Sequence, residues 1–226
     1  IEDNKKEAIA IIKETIKKLN LDKIKIFILK TKYPQGGEKQ LIKAITGREV
    51  PSGGLPFDVG VLVQNVQTAF AIYEAIYLGK PLYERVITVS GKAIKKRGNF
   101  KVKIGTLVSD IVEFCGGFVE EPKRVVFGGP MMGIAQWSLD VPVIKGTSGI
   151  LFLTEEELNM EESGPCIRCG KCIEVCPVKI MPALIALAGE YGRWEIAKKY
   201  FPLDCIECGA CSYICPTRRD LVQFIK

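Results

Sequence analysis

Two stretches of the chain crowd four cysteines each into a short span, Cys166-Ile-Arg-Cys169-Gly-Lys-Cys172-Ile-Glu-Val-Cys176-Pro177 and Cys205-Ile-Glu-Cys208-Gly-Ala-Cys211-Ser-Tyr-Ile-Cys215-Pro216. Together they take eight of the nine cysteines. Thiolates at this spacing bind iron and sulfur. Three cysteines three apart let one short loop wrap a cubane, and the fourth reaches a second cubane held by the other run. The proline that follows has no N–H and a fixed φ, so it turns the chain away and sends that last thiolate across. The spacing therefore predicts two [4Fe-4S] clusters with crossed ligands. Cys166, Cys169, Cys172 and Cys215 hold one, and Cys205, Cys208, Cys211 and Cys176 hold the other.

Other thiol chemistries fit less well. Zinc ribbons set two C-x2-C pairs well apart to close a single tetrahedron, and disulfide frameworks belong to oxidising compartments. The chain has no histidine, which excludes Rieske ligation and zinc chemistry by imidazole. The two runs share their cysteines, an isoleucine, a glycine and the proline, the mark of a duplication with pseudo-twofold symmetry. Arg168 and Lys171 beside the first run favour its more negative reduced form and Glu207 in the second opposes it, so the first cluster is expected to have the higher potential. The ninth cysteine, Cys115, lies in an apolar stretch and reads as a small core residue.

The elements that must position these runs follow from periodicity and punctuation. A helix is expected over residues 3 to 19, capped by Asp3, with Ala8, Ile11, Ile12, Ile16 and Leu19 on its apolar face. A strand at 24–29 comes next, then a helix from Glu38 to about Gly47, a buried strand at 59–63, and a helix from about Asn65 to Leu78 stopped by Gly79. That alternation predicts a layered α/β unit with a mostly parallel sheet. From Arg85 the rhythm shifts to short strands at 85–90 and 100–104, joined by a turn at Arg97-Gly98-Asn99. A helix at 107–114 follows, and together these read as a small β-grasp element. Beyond it lie a strand at 124–127, the turn Gly128-Gly129-Pro130-Met131-Met132-Gly133 and a strand at 149–153. Thr154-Glu-Glu-Glu157 has the form of a capping box that opens a linker helix. Between the cysteine runs, 181–188 and 194–200 are expected to be helical. The domains then divide as 1–83 for a partial α/β domain, 84–135 for the β-grasp, 136–160 for connecting strands and the linker helix, and 161–226 for the α-helical cluster domain.

Composition narrows the function classes. A chain of 226 residues that is 47% hydrophobic can bury a real core. Its formal charge of +6 invites a nucleic-acid reading. Eight thiolates and two oxidised cubane cores leave roughly +2, however, so no nucleic-acid partner is expected. The densest basic stretch, Lys92 to Arg97 with Lys101 and Lys103, lacks the interleaved aromatics of a single-strand binder and reads as a solvated hairpin, with docking of an acidic redox partner as the functional alternative. No apolar run is long enough to cross a bilayer, so any membrane association is expected through a partner. The chain opens on Ile1 rather than methionine and reads as a fragment lacking an N-terminal part.

Two strand-to-helix junctions could bind a cofactor. Gly36-Gly37-Glu38 can offer backbone N–H groups to a phosphate, with a plain turn as the alternative. Gln64-Asn65-Val66-Gln67-Thr68 offers amides and a hydroxyl where α/β sheets bind ligands, with a helix cap by Asn65 as the alternative.

Taken in order, Glu2-Asp-Asn-Lys-Lys-Glu-Ala, Tyr33-Pro-Gln-Gly-Gly-Glu-Lys-Gln-Leu, Thr46-Gly-Arg-Glu-Val-Pro, Val63-Gln-Asn-Val-Gln-Thr, Gly128-Gly-Pro-Met-Met-Gly and the twin cysteine runs resemble the RnfC family, a component of the Rnf electron-transport complex, over essentially the whole chain. The resemblance implies a peripheral subunit on the cytoplasmic face of the cell membrane, with an NADH- and FMN-binding α/β domain, a soluble-ligand-binding (SLBB-like) β-grasp domain and two ferredoxin-type clusters. It implies an ion-translocating NADH:ferredoxin oxidoreductase, with the other subunits of the complex and ferredoxin as partners. The α/β part is also similar to the NADH-oxidising flavoprotein of respiratory complex I, and that likeness puts Gly36, Gly37, Glu38, Gln64, Asn65 and Thr68 at the flavin. Gly37 and Gln64 replace a glutamate and an asparagine of that pattern. The family's glycine-rich flavin loop falls before Ile1, so the flavin and nicotinamide site is expected to be incomplete. The rival readings are a microcompartment cobalamin reductase, built from similar parts, and a docking module whose clusters only stabilise the fold.

Overall fold

The computed structural model describes residues 1–158 and 162–226. The chain divides into two compact units, Ile1–Val63 and Gln64–Lys226.

In the first unit, α1 spans Lys6–Lys18 and α2 spans Glu38–Thr46, and Pro56–Val59 forms a 3-10 turn against α2. Asp3 does not cap α1. Its carboxylate accepts the Thr31 N–H at 3.0 Å and the Thr31 hydroxyl at 2.8 Å, a bond across distant sequence that no local pattern announces. The buried line of α1 runs through Ile9 and half-buried Ile16, seven apart on one face, while Ile11 is 64% exposed. The expected strand at 24–29 is reduced to a single parallel bridge, Glu2 with Leu29. The expected strand at 59–63 is absent, and Leu62 there is 78% exposed. Segment 24–29 pairs only with residues 1–3 and segment 59–63 has no strand partner, so among the described residues of 1–83 no parallel sheet forms. α2 ends as expected at Gly47, whose left-handed conformation (φ 73°) closes the helix.

The second unit opens with α3, Val66–Leu78, capped by Asn65 and stopped by Gly79. Lys80 then bridges Glu74 at 2.6 Å and Glu84 at 2.7 Å, tying the end of α3 to the sheet that follows. That sheet comprises β1 (Glu84–Ser90), β2 (Gly98–Lys103), β3 (Arg124–Phe127), β4 (Ile134–Gln136) and β5 (Gly149–Leu153), in the order β2-β1-β5-β3-β4. Only β1 and β5 run parallel. The grasp is closed by α4, Val108–Phe114, which lays Val108, Ile111 and Val112 over Ile87, Val89, Ile150 and Phe152. β1 alternates buried Ile87 and Val89 with exposed Val86 and Thr88, as a strand covered on one face must. Cys115 is buried in this core, and burial pushes its thiol up against the opposing pull of Lys96.

Three features of the second unit differ from expectation. β4 carries no sequence signal, and Ile134 on it is exposed. Residues 149–153 are not a connecting strand but the middle of the grasp sheet. After β5, Thr154 and Glu157 form the expected capping box, yet the helix it opens is a single 3-10 turn, Glu155–Glu157, and residues 159–161, where a linker helix would continue, lie outside the described residues. Glu157 also accepts the backbone N–H of Lys92 at 2.9 Å, which fastens this exit to the turn after β1.

The last part is helical: α5 (Lys171–Val175), α6 (Pro182–Glu190), α7 (Trp194–Lys198), α8 (Ala210–Ile214) and α9 (Leu221–Ile225). α5 packs on α8, and α6 on both α7 and α9. Phe152 is fully buried at the centre of the grasp. Phe152→Ala is therefore expected to destabilise the chain by about 3–5 kcal/mol, whereas Val86→Ala on the exposed face should stay within about 0.5 kcal/mol. Urea unfolding midpoints of the two variants check this.

Candidate metal centre

The two cysteine runs adopt one backbone shape twice. Arg168 and Glu207 occupy the left-handed region (φ 57° and 53°), as do Gly170 and Gly209 (79° and 77°) and, beyond the prolines, Lys179 and Arg218 (59° and 55°). Alternation of left-handed residues with ordinary ones turns successive N–H groups to one side, which makes a concave cradle for an anion. Each glycine leads into a one-turn helix, α5 or α8, that carries the third cysteine, and Cys172 and Cys211 sit together in a small apolar core with Ala186 and Leu221.

The fourth cysteine of the first run lies with the second. A cavity is lined by Cys176, Cys205, Cys208 and Cys211, with Ile180, Val222 and Ile225 among its apolar walls. The electrostatics agree: Cys211 is pushed up to about 11 by burial first and then by Cys205, Cys208 and Cys176, against one N–H from Ser212. Cys205 is raised by burial and by Cys208 and Cys176, and accepts the Glu207 N–H at 3.4 Å. On the other side, burial raises the Cys172 thiol and Cys166 and Cys169 add to it, opposed by the Ala183 N–H. Burial also works to raise Cys215, but the Thr217 hydroxyl at 3.5 Å and backbone N–H groups of Arg219, Thr217 and Arg218 bring it below its ordinary value.

These surroundings fit a cationic group. Burial in this apolar cavity opposes ionisation of the Cys205 and Cys211 thiols, and a bound metal reverses that by taking the thiolate form outright. Among the described residues no three Cys, Asp or Glu side chains converge as ligands of a single ion do. The four thiolates of a cubane each take a separate iron corner instead. The two groups differ in exposure: Cys176, Cys208 and Cys211 are buried, whereas Cys166 and Cys169 are exposed.

Two contacts were not legible in sequence. Glu207 pairs with Lys226 at 2.8 Å, which offsets the charge expected to oppose reduction. The Gly128–Gly133 turn reaches the second run, for a Cβ on Gly209 would lie 2.8 Å from the Met131 carbonyl oxygen, while one on Gly170 would meet open space.

The residues expected at a flavin fall in separate units. In the first, Gly37 precedes α2, Glu38 begins it, and a Cβ on Gly37 would lie 2.8 Å from Gln40 Oε1, a buried acceptor without a partner. Gly36 is exposed beside them. In the second unit Asn65 Oδ1 accepts the Gln67 N–H at 2.9 Å, the capping role, with Gln64 exposed and Thr68 half-buried next to it. The α2 N-terminus and an unsatisfied amide oxygen are compatible with a polar cofactor.

Three families match in series: the Nuo51 FMN-binding domain over residues 1–74, the SLBB domain over 86–135 and the 4Fe-4S dicluster domain over 159–216. The C subunit of the proton-translocating ferredoxin:NAD(+) oxidoreductase complex of Clostridium ljungdahlii is 52% identical over 227 residues, covering 100% of this chain and 49% of that protein. The C subunit of the Na(+)-translocating complex of Acetobacterium woodii is 49% identical over 226 residues, covering 100% and 51%. Its counterpart in the ion-translocating oxidoreductase complex of Rhodobacter capsulatus is 47% identical over 182 residues, covering 80% and 35%. The chain thus spans about half the length of the first two relatives.

The two glycines provide an internal comparison. Both carry the same backbone strain on mutation, roughly 1–2 kcal/mol, but only Gly209 meets a neighbour. Gly209→Ala is expected to lower thermal stability and iron content well beyond Gly170→Ala, measured side by side after anaerobic reconstitution.

Proposed function

We propose, because this chain belongs to the RnfC family of ion-translocating ferredoxin:NAD(+) oxidoreductase complexes, that it is the electron-relay portion of such a protein. It carries electrons between NADH and FMN on one side and other subunits of the membrane complex on the other, with ferredoxin as the complex's redox partner. The assembly is an ion-translocating NADH:ferredoxin oxidoreductase. Its proposed place is peripheral, at the cytoplasmic face of the cell membrane; among the described residues no helix is long and apolar enough to cross a membrane.

Cys166, Cys169, Cys172 and Cys215 hold one [4Fe-4S] cluster, and Cys205, Cys208, Cys211 and Cys176 hold the other. The reading is supported above all by the cavity that gathers Cys176 with the second run. When bound, the flavin converts a two-electron donor into single electrons and each cluster accepts one. The chain's own part is to hold the thiolates, to aim N–H groups at sulfur and to keep one set of cysteines dry. In the first unit Gly36, Gly37 and Glu38 serve the flavin domain at the start of α2. In the second, Gln64, Asn65 and Thr68 do so at the start of α3, with Asn65 also capping the helix. The exposed Cys166 and Cys169 make the first cluster the one open to a partner. The relatives named above all come from such oxidoreductase complexes, which favours this function over a cobalamin reductase or a purely structural use of the clusters.

Anaerobic titration of the cluster-loaded, FMN-supplemented chain, followed by EPR, tests the relay. Cubane signals are expected with dithionite, and clusters that no donor reduces would overturn it. Signals with NADH as well would show a working path from nicotinamide through flavin within residues 1–226.

Cys215→Ser is expected to remove the signal of the cluster on Cys166, Cys169 and Cys172. Loss of the other cluster alone would refute the crossed assignment.

Solvent access and the cations near the first run give its cluster the higher potential. Lys226→Gln uncovers the Glu207 charge and should lower the potential of the second by less than the roughly 60 mV of a tenfold change, as potentiometric EPR would read.

A further inference from the structure

β2 forms one edge of the grasp sheet, and its inner side is fully paired with β1. The pairing parity follows from the bond of the Ile104 N–H to the Tyr83 carbonyl at 2.8 Å, just past the last pair of the ladder, Glu84 with Lys103. In an antiparallel ladder hydrogen-bonded pairs alternate. Phe100 and Val102 therefore face β1 with their backbone groups, whereas Asn99, Lys101 and Lys103 turn theirs outward. The Lys103 carbonyl accepts the Thr106 N–H. Among the described residues, the outward N–H groups of Asn99, Lys101 and Lys103 and the carbonyls of Asn99 and Lys101 take no partner.

A groove runs along this open edge, between β2 and α4, walled by Phe100, Val102, Ile111 and Phe114 with Thr106 and Asp110 at its rim. Phe114 is 67% exposed, and Lys96 lies over the rings of both Phe100 and Phe114 at 5.8 and 5.1 Å. Side chains alternate across the edge. Phe100 and Val102 pack toward α4, while Asn99, Lys101 and Lys103 stand on the opposite face, where Lys101 also pairs with Glu84 at 2.6 Å.

We propose that the β2 edge receives an extended segment of a partner protein by strand addition, and that this segment alternates apolar with acidic residues. The outward backbone groups supply the ladder, as edge strands do when they recruit a peptide. A strand laid there turns every second side chain into the groove against Phe100, Ile111 and Phe114, and the others onto the face carrying Lys101 and Lys103. The first set must be apolar and the second is matched in charge by carboxylates. This surface is independent of the cluster reading and stands or falls without it.

The test uses the cluster-loaded chain and a fluorescent synthetic strand alternating glutamate with valine, followed by anisotropy at low salt. Saturable binding is expected, weakened by added salt. Lys101→Pro removes an outward N–H that β1 does not use, so the ladder survives while binding falls by at least about tenfold. Lys101→Ala keeps that N–H and should weaken binding less. Phe114→Ser should weaken it through the groove, and the same strand with lysine in place of glutamate should not bind. Absence of saturable binding, equal binding by Lys101→Pro, or equal binding of the lysine strand would overturn the proposal. Self-association of the chain that Lys101→Pro abolishes, seen by sedimentation, would assign the edge to a second copy and overturn it as well.

Discussion

Cys205 and Cys211 share one apolar cavity with Cys176 and Cys208, its walls carry no charged side chain, and burial together with the neighbouring cysteines makes the Cys205 and Cys211 thiols harder to ionise. The cluster-bearing part of the chain is organised around that conflict. A metal core supplies the missing positive charge, and the binding free energy of such a core is at the same time folding free energy. The polypeptide contributes the weaker terms: left-handed residues that swing N–H groups toward sulfur, hydroxyl and backbone donors around Cys215, and one-turn helices too short to stand without tertiary packing. The drawing of Cys176 into the second group ties the second run to the first, because the cavity around Cys205, Cys208 and Cys211 is completed by a cysteine of the other run.

The grasp sheet gives this arrangement something firm to rest on. Its core is continuous from α4 through β1 and β5, and two of its turns reach beyond it. One brings the Met131 carbonyl against Gly209, and the other binds Glu157 through the Lys92 N–H. Burial opposes the charge on Glu157, yet the N–H groups of Lys92 and Thr154 hold its carboxyl below the usual range, so the contact is kept as a charge-assisted bond.

What could be seen in the sequence was whatever is decided locally. The twin runs announced their own shape, Gly47 and Gly79 marked helix ends, Asn65 marked a helix start, and the alternation in residues 85–90 marked a half-buried strand. What escaped was decided by distant partners. Asp3 looked like a cap until Thr31 claimed it, and residues 24–29 and 59–63 have the composition of strands, but the first meets only a single bridge at Glu2 and the second has no strand partner among the described residues. β4 exists only because β3 offers it an edge. At the metal centre, the repeated spacing announced two runs that fold alike. The Lys226 charge beside Glu207 and the Met131 contact were not legible there, since both join residues far apart in the chain.

The position of β5 sets an order of events during synthesis. It is the middle strand of its sheet and the last to be made, pairing with β1 on one side and β3 on the other. Until it leaves the ribosome β1 and β3 have no common neighbour, so the sheet can close only when residues 149–153 arrive. The cysteine runs follow immediately. The last strand of the platform is therefore made before either cysteine run, so the sheet has all its strands by the time the eight cysteines of those runs emerge.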